Sequence, residues 1–188
     1  MKSRSKIKSR KIRSLLVTTA ARRSADGGAV VRGQLVVAGV AHRCVLGRSG
    51  SGWTKREGDG HTPKGRFPLI EGFFRQEAGP RVHSLLHLWP ARRHDGWCDD
   101  PRHPAYNRRV RRPFVGGHER LWRDDPLYDV AIVLDYNFTR RIRGRGSAIF
   151  FHIWRGPQTP TEGCVAISAD DMRRLLPRLA KDVVMVIR

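Results

Sequence analysis

The stretch SAIFFHIWRGPQTPTEGCVAISADDMRRLLPRLAKDVVMVI, residues 147–187, contains the clearest structural signals in the chain. Its two ends, residues 147–154 and 183–187, are apolar runs rich in branched and aromatic side chains. Runs of this length and composition are typical of buried strands. The stretch therefore predicts strands at both ends, with His152 near the end of the first one.

A single helix is predicted between these two strands. Ser168 precedes two acids, and a serine oxygen can accept hydrogen bonds from the free N–H groups at the start of a helix. Met172 and three leucines then follow at helical spacing, which indicates an apolar face. We therefore predict the main helix over about residues 169–180, and we expect Pro177 to kink or shorten it.

Further strands are predicted outward from this stretch. Short runs rich in Val and Leu occur at 15–20, 34–39 and 42–47, and they are separated by glycine-containing turns. YDVAIVLDYN, residues 128–137, is another buried-strand candidate. In contrast, residues 89–113 are dense in Pro, Asp, His and Arg without a clear period, which predicts an irregular segment.

The charge of the chain is strongly positive, at +20 over 188 residues. Seven of the cations lie in MKSRSKIKSRKIR, residues 1–13, and we predict that this segment is a flexible basic arm. Residues 14–188 are predicted to form one domain. A basic field attracts anionic polymers in general, so a non-enzymatic polyanion or nucleic-acid binder is one alternative. Nucleic acid is the less favoured partner, because no aromatic platform for stacking bases is recognisable.

The sequence also limits the cellular setting. Three cysteines cannot all pair with one another, so at least one thiol is expected to be free or intermolecular. No apolar stretch of about 18 residues is present, which predicts no transmembrane segment. The apolar run behind the basic start is shorter than the roughly 7 to 15 residues of a secretory signal, so no signal peptide is evident.

Cys164 and His152 are the pair of residues that can carry chemistry. A cysteine nucleophile needs a neighbouring base, and a histidine on a strand end can supply one. Gly163 allows close approach of a substrate, and the backbone amides of Gly163 and Cys164 can form an oxyanion hole. From the residues alone the alternative is that Cys164, flanked by Val and Ala, is a small buried hydrophobe.

Two other segments contain residues with chemical potential. HDGWCDDPRH holds three possible zinc ligands, but it lacks the paired spacing of a closed zinc site, and we predict no metal and no cofactor. Its candidate ligands are His94, Cys98 and His103. The glycine-rich run before His61 matches no nucleotide-binding motif. Its cations are candidates for binding anions or form an ordinary solvated loop, and they are Lys55, Arg56 and Lys64.

Two separated motifs resemble the YkuD-type L,D-transpeptidase catalytic domain. TPKGRF, residues 62–67, matches Thr-Pro-x-Gly-x-Phe of that family, and His152 followed by Gly-Cys-Val at 163–165 matches its His and Gly-Cys signature. The segments GWCDDP, YNRRV and GRGSAIFFH add to a likeness that covers about residues 44–188 and suggests a short, compact branch. The resemblance implies a mainly β fold, a mixed β-sandwich with one main helix and long loops.

The resemblance also implies a function. The family members are cysteine acyltransferases that act on peptidoglycan stem peptides and cleave the L-to-D amide bond before D-alanine. By this likeness Cys164 is the nucleophile that forms a thioester and His152 is its base. An amine that resolves the thioester gives a cross-link, whereas water makes the enzyme an L,D-carboxypeptidase or another wall amide hydrolase. The family also implies a periplasmic or cell-envelope location, where the basic surface suits an anionic polymer.

Further site residues follow from the same resemblance. Glu162 is a possible accessory residue that steadies His152 or an incoming amine. The candidates for substrate binding are Trp154, Arg155 and Thr161. Ala166 stands where the family often has Arg or Asn, two residues after the cysteine.

Overall fold

The computed structural model describes residues 11–23, 29–78 and 83–188. Most of the predicted basic arm, residues 1–13, lies outside the described residues. Its last two residues, Ile12 and Arg13, belong to the first strand, and Ile12 is buried in the core.

The described residues form fourteen strands and one α-helix, together with three short 3-10 turns. The strands are β1 (Ile12–Arg23), β2 (Ala29–Val37), β3 (Val40–Val45), β4 (Ser51–Gly52), β5 (Thr62–Pro63), β6 (Gly65–Arg75), β7 (His87–Ala91), β8 (Asp95–Cys98), β9 (Arg109–Arg111), β10 (His118–Arg120), β11 (Val130–Leu134), β12 (Phe150–Ile153), β13 (Val165–Ile167) and β14 (Leu179–Ile187). The helix is α1 (Ala169–Leu175), and the 3-10 turns are Gln76–Ala78, Pro126–Tyr128 and Leu176–Arg178.

Nine of these strands form one mixed sheet in the order β11, β12, β13, β3, β2, β1, β14, β6, β7. The long strand β6 closes this sheet, because its residues 65–68 pair with β14 and its residues 69–74 pair with β11. Three of the pairings are parallel, namely β1 with β14, β12 with β13, and β6 with β7. The mainly β, mixed-sheet fold with one helix confirms the prediction.

The interior of the sheet is an apolar core to which both halves of the chain contribute. Leu15, Leu35 and Met185 meet Ile132 and Phe151 there, and each of the five is fully buried. A smaller second cluster around Trp97, Phe73 and Phe150 includes Cys164. Cys164 therefore lies at the second cluster and outside the main core.

The helix is shorter than predicted. Ser168 caps its start, because the serine oxygen accepts a hydrogen bond from Asp171 N at 3.0 Å. The α-helical hydrogen bonding ends at Leu175, and the chain continues as a 3-10 turn that contains Pro177. Proline lacks the N–H group that a longer helix needs, which explains why the predicted end at about residue 180 was too late.

Two strand predictions were correct in place but too long. The segment predicted at 128–137 contains the five-residue strand β11, and the segment at 147–154 contains the four-residue strand β12. The prediction that residues 89–113 are irregular was wrong in part, since the segment includes the end of β7, all of β8 and all of β9. Strands β8, β9 and β10 form a separate three-stranded sheet.

Candidate active site

A cleft of about 490 Å³ opens beside β12 and the turn that precedes β13. Its walls include every side chain predicted for the site, which are His152, Trp154, Arg155, Thr161, Glu162 and Cys164. The cleft is therefore the place where the sequence-predicted residues come together.

The thiol of Cys164 is held by the backbone of the neighbouring chain segment. The sulfur accepts a hydrogen bond from Phe150 N at 3.3 Å, and the S–H group donates to the carbonyl oxygen of Ala148 at 3.2 Å. Burial raises the pKa of this thiol to about 12, although the Phe150 N–H opposes the shift. At neutral pH the nucleophile candidate is therefore a neutral, oriented thiol.

His152 lies in β12, between Ala131 of β11 and Ala166 of β13. Its Nδ1 lies 2.8 Å from the carbonyl oxygen of Ile153, and because a carbonyl can only accept, this contact favours the tautomer with the proton on Nδ1. This tautomer leaves the lone pair on Nε2. Burial lowers the pKa of His152 to about 4, against opposing backbone hydrogen bonds, so the ring is neutral and can act as a base at neutral pH.

Cys164 and His152 both line the cleft, but no hydrogen bond between their side chains is present among the described residues. In the described part of the chain, the hydrogen bonds of the sulfur go to Phe150 and Ala148 and not to the imidazole. The ring of Tyr128 packs edge-on against His152, with the centroids 5.2 Å apart. A hydrogen bond from the thiol to the imidazole would therefore require the S–H group to turn away from Ala148.

Gly163 makes the turn that presents Cys164. Its φ of +138° is a conformation that favours glycine, and a Cβ atom there would lie 2.8 Å from the carbonyl oxygen of His61. The Gly163 N–H donates to Thr161 Oγ1 at 3.2 Å, and the Thr161 hydroxyl donates to the carbonyl of Cys164 at 2.7 Å. The turn is thus held by a side chain that also lines the cleft.

The distant TPKGRF motif contacts this turn directly. Thr62 is fully buried in β5, where its hydroxyl oxygen accepts a hydrogen bond from Gly47 N at 2.8 Å. The same oxygen lies 3.5 Å from the carbonyl oxygen of Cys164. The two motifs are therefore parts of one structure, in which β5 supports the Gly163–Cys164 turn.

A family model for the L,D-transpeptidase catalytic domain, YkuD, matches residues 14–187. The chain belongs to this family. The comparison with curated proteins and the comparison with solved structures gave no match. Among the described residues, no helix has the length and apolar character needed to cross a membrane.

The L,D-transpeptidase domain also uses residues that the sequence patterns did not assign to the site. Asn107 is buried, and its Oδ1 accepts hydrogen bonds from Ala148 N at 3.1 Å and from the indole of Trp97 at 2.8 Å. Ala148 has a φ of +51°, a conformation unusual for a residue with a side chain. Asn107 therefore fixes the backbone whose carbonyl receives the Cys164 thiol.

Acidic side chains line another part of the cleft. They are Glu57, Asp99 and Glu119. Burial raises the pKa of both Asp99 and Glu119, and the charge of Glu57 adds to the shift of Asp99. The Glu57 carboxylate is held in place by hydrogen bonds from the hydroxyls of Tyr106 and Ser147.

Basic side chains lie near His152. Arg123 binds both oxygens of Asp125 at 2.8 Å, and Arg155 reaches Asp125 at 3.3 Å. The Arg123 guanidinium lowers the pKa of Asp125 to about 2. The wall of the cleft thus carries both positive and negative side chains.

Two predicted residues have other contacts in the domain. The side chain of Glu162 is 77% exposed and pairs with Arg48 Nε at 2.7 Å. Trp154 donates its backbone N–H to Ile167 O at 2.8 Å and lines the cleft, as does Arg155. Of the predicted substrate-binding residues, Thr161 has the most defined position, because it is hydrogen-bonded on both sides.

The possible zinc ligands do not form a metal site. Cys98 donates weakly to the Asp100 carbonyl at 3.9 Å, and His103 Nδ1 accepts from Ala105 N at 3.0 Å. In the described part of the chain, no group of three or more His, Cys, Asp or Glu residues is placed to hold an ion. This segment instead supplies Asp99 to the cleft wall and Trp97, whose indole N–H donates to Asn107.

The signal for these missed residues was present in the sequence. GWCDDP and YNRRV contain Trp97, Asp99 and Asn107, and both segments belong to the family likeness. Polar residues in a segment without hydrophobic periodicity gave no indication of which residues they contact. The long-range hydrogen bond from Ala148 to Asn107 could be found only from the fold.

Proposed function

We propose that this protein is an L,D-transpeptidase in which Cys164 is the nucleophile and His152 the general base. One observation supports this most strongly. An oriented thiol and a neutral imidazole with its lone pair on Nε2 line the same cleft of a domain that belongs to this family. A base that is neutral at working pH is what activation of a protonated thiol requires.

Acylation begins with the neutral pair. The thiol turns from Ala148 and gives its proton to His152 Nε2, while the sulfur attacks the carbonyl carbon of the L-to-D amide bond. The Ile153 carbonyl bonded to Nδ1 stabilises the imidazolium that forms. The tetrahedral intermediate then collapses, the amide C–N bond breaks, and D-alanine leaves with the proton from Nε2. A thioester on Cys164 remains.

The second half of the reaction releases the acyl group. An amine of another stem peptide attacks the thioester carbonyl and loses a proton to Nε2. The C–S bond breaks, the sulfur takes back the proton, and the new amide is the cross-link. If water attacks in place of the amine, the product is a free carboxylate, and the enzyme is an L,D-carboxypeptidase or related wall amide hydrolase.

The surrounding residues have supporting roles in this proposal. The amides of Gly163 and Cys164 donate to the oxyanion, and the Gly163 N–H exchanges its bond to Thr161 for one to the substrate. Trp154, Arg155 and Thr161 contact the donor stem along the cleft. Glu162 remains the accessory candidate for an incoming amine, and it can approach by breaking its exposed pair with Arg48.

Peptidoglycan stem peptides are the proposed partners, and the cell envelope is the proposed location. The charge of +20 favours contact with anionic polymers of the wall. The alternative of a non-enzymatic polyanion or nucleic-acid binder predicts steeply salt-dependent binding and no effect of Cys164 substitution.

The test is intact-mass analysis after mixing the protein with disaccharide-tetrapeptide muropeptides. We expect an adduct with the mass of the donor minus D-alanine in the wild type and in Cys44→Ala, but none in Cys164→Ala. Product analysis separates the reactions, since a dimer indicates transfer and free D-alanine without a dimer indicates hydrolysis. An adduct of equal yield in Cys164→Ala would contradict the proposal.

A further inference from the structure

Lys55 is a buried cation on the wall of the cleft. Its side chain is 2% exposed, and its Nζ donates to Asp59 Oδ1 at 2.9 Å and to the Arg56 carbonyl at 3.3 Å. Burial of a lysine costs desolvation free energy, and an ion pair of this kind is weak support for stability by itself. Its position therefore calls for a role beyond holding the loop together.

The ammonium group lies against the turn that presents Cys164. A Cβ atom built on Gly163 would be 3.3 Å from Lys55 Nζ, and one built on Gly146 would be 2.8 Å from Lys55 Cε. The lysine side chain therefore runs between these two glycines, one just before Cys164 and the other before β12. Nothing larger than hydrogen fits at either position without displacing the lysine or its neighbours.

The charge of Lys55 opposes that of the acids near the Cys164 thiol. The acids Glu119 and Glu162 both raise the pKa of Cys164, whereas Lys55 lowers it. The carboxylate of Asp59, which pairs with Lys55, is also held by two backbone N–H groups. It accepts hydrogen bonds from Arg56 N at 2.6 Å and His61 N at 2.9 Å. An ammonium has three N–H donors, and its acceptors among the described residues are Asp59 and Arg56.

We infer that Lys55 is a positioning residue that places a fixed positive charge beside the Gly163–Cys164 turn. This charge stabilises the Cys164 thiolate as its proton leaves, and then the oxyanion to which the negative charge moves. The part that concerns the oxyanion rests on the proposed function. The part that concerns the thiolate does not, because it applies to any reaction of the sulfur.

The test measures alkylation of Cys164 by iodoacetamide between pH 7.5 and 10, with each cysteine quantified by peptide mass spectrometry. In Lys55→Met we expect the rate at Cys164 to fall about three- to tenfold, because fewer thiolates form at each pH. In Asp59→Asn the lysine charge is no longer offset, so we expect the rate to rise about twofold. Lys181→Met, the same change at an exposed site on β14, should leave the rate unchanged.

The alkylation rate is expected to fall in Lys55→Met and to rise in Asp59→Asn, and these opposite changes separate an electrostatic effect from a loss of structure. Loosening of the fold exposes a buried thiol and speeds its alkylation, so it cannot explain a slower reaction in Lys55→Met. Cys44 in the same sample reports any loosening, because it is buried away from the cleft. A rate in Lys55→Met equal to or above the wild type would overturn the inference. If that variant does not fold, an unchanged or slower rate in Asp59→Asn would do the same.

The acyl adduct with muropeptides distinguishes this inference from the proposed function. Slower alkylation in Lys55→Met with no acyl adduct in the wild type leaves the thiolate effect in place and removes the transpeptidase proposal. An acyl adduct in the wild type with unchanged alkylation in Lys55→Met supports the transpeptidase proposal and removes the thiolate effect of Lys55. If both hold, Lys55→Met should form the adduct more slowly while its KM for the donor changes little.

Discussion

Cys44 and Cys164 have similar burial and very different surroundings. Both are free thiols, 2% and 8% exposed, and burial raises the pKa of each to about 12. Cys44 packs in the main core against Gly33 and Leu46, whereas Cys164 lines the cleft and is held by two backbone hydrogen bonds. The pKa therefore does not distinguish the proposed nucleophile from a core cysteine, but hydrogen bonding and position on the cleft wall do.

Replacing each cysteine with alanine, which removes the thiol, tests this contrast most directly. We expect Cys164→Ala to lower transpeptidation by at least about a thousandfold, since nucleophilic catalysis is lost. Cys44→Ala should retain activity and lose about 1 kcal/mol of stability, because it leaves a small cavity in the core. Initial rates and urea denaturation of both variants check the expectation, and equal activities would remove the distinction between the two cysteines.

Removal of the proposed base should have the next largest effect. His152→Gln keeps a polar side chain in β12 but provides no basic nitrogen, so we expect kcat to fall about 10²- to 10⁴-fold with a small change in KM. The measurement is steady-state kinetics with a tetrapeptide donor. His42→Gln is the matched control, because His42 contacts Asp171 at 2.9 Å and does not line the cleft.

Lowering the pH should reduce the free energy of unfolding, because His152 is buried in its neutral form. The pKa of His152 is about 4 in the folded protein and about 6.5 in an unfolded chain, so the unfolded state binds more protons between these values. The free energy of unfolding therefore falls as pH decreases from about 6.5 towards 4. The loss from this one group should be about 2 to 3 kcal/mol at pH 4.5.

Urea denaturation at pH 7 and pH 4.5 measures this loss. His152→Gln should lose about 2 to 3 kcal/mol less than the wild type over the same interval, since glutamine does not titrate. An identical loss in both proteins would show that His152 does not resist protonation in the folded state.

A methyl group added beside each cysteine gives the smallest predicted effect. At Gly33 a Cβ atom would lie 2.6 Å from Cys44 Sγ, so Gly33→Ala should cost about 1 to 3 kcal/mol of stability while the specific activity of the folded protein stays near wild type. Gly163→Ala should cost a similar amount, about 1 to 3 kcal/mol from strain, and also lower kcat. Thermal denaturation and single-turnover rates separate the two results.

Much of the fold could be predicted from the sequence, because apolar runs and one capped helix carry local signals. The strands around 128–137 and 147–154 were found from hydrophobicity, and the helix start was found from Ser168. The element ends were less accurate, since tertiary pairing determines where a strand stops. The three-residue strand β9 escaped prediction, because such a short run with arginine at both ends shows no periodicity.

The candidate site could be predicted only where a motif marks it. The resemblance assigned Cys164 and His152, and the structure places both on one cleft. Asn107 and Lys55 are placed beside the candidate site by contacts that no local pattern reveals. Asn107 bonds a residue 41 positions away, and Lys55 lies in a glycine-rich run where a solvated loop was the equal alternative.

The pairing of β1 with β14 has a consequence for the order of folding. Leu15 lies opposite Met185 and Val17 opposite Ile187, so the first described strand needs the last one as its neighbour. During synthesis β1 emerges from the ribosome long before β14 exists, and contacts between such distant parts of a chain form late. The sheet therefore remains incomplete until β14 has left the ribosome, and until then β1 has only one of its two neighbouring strands, β2.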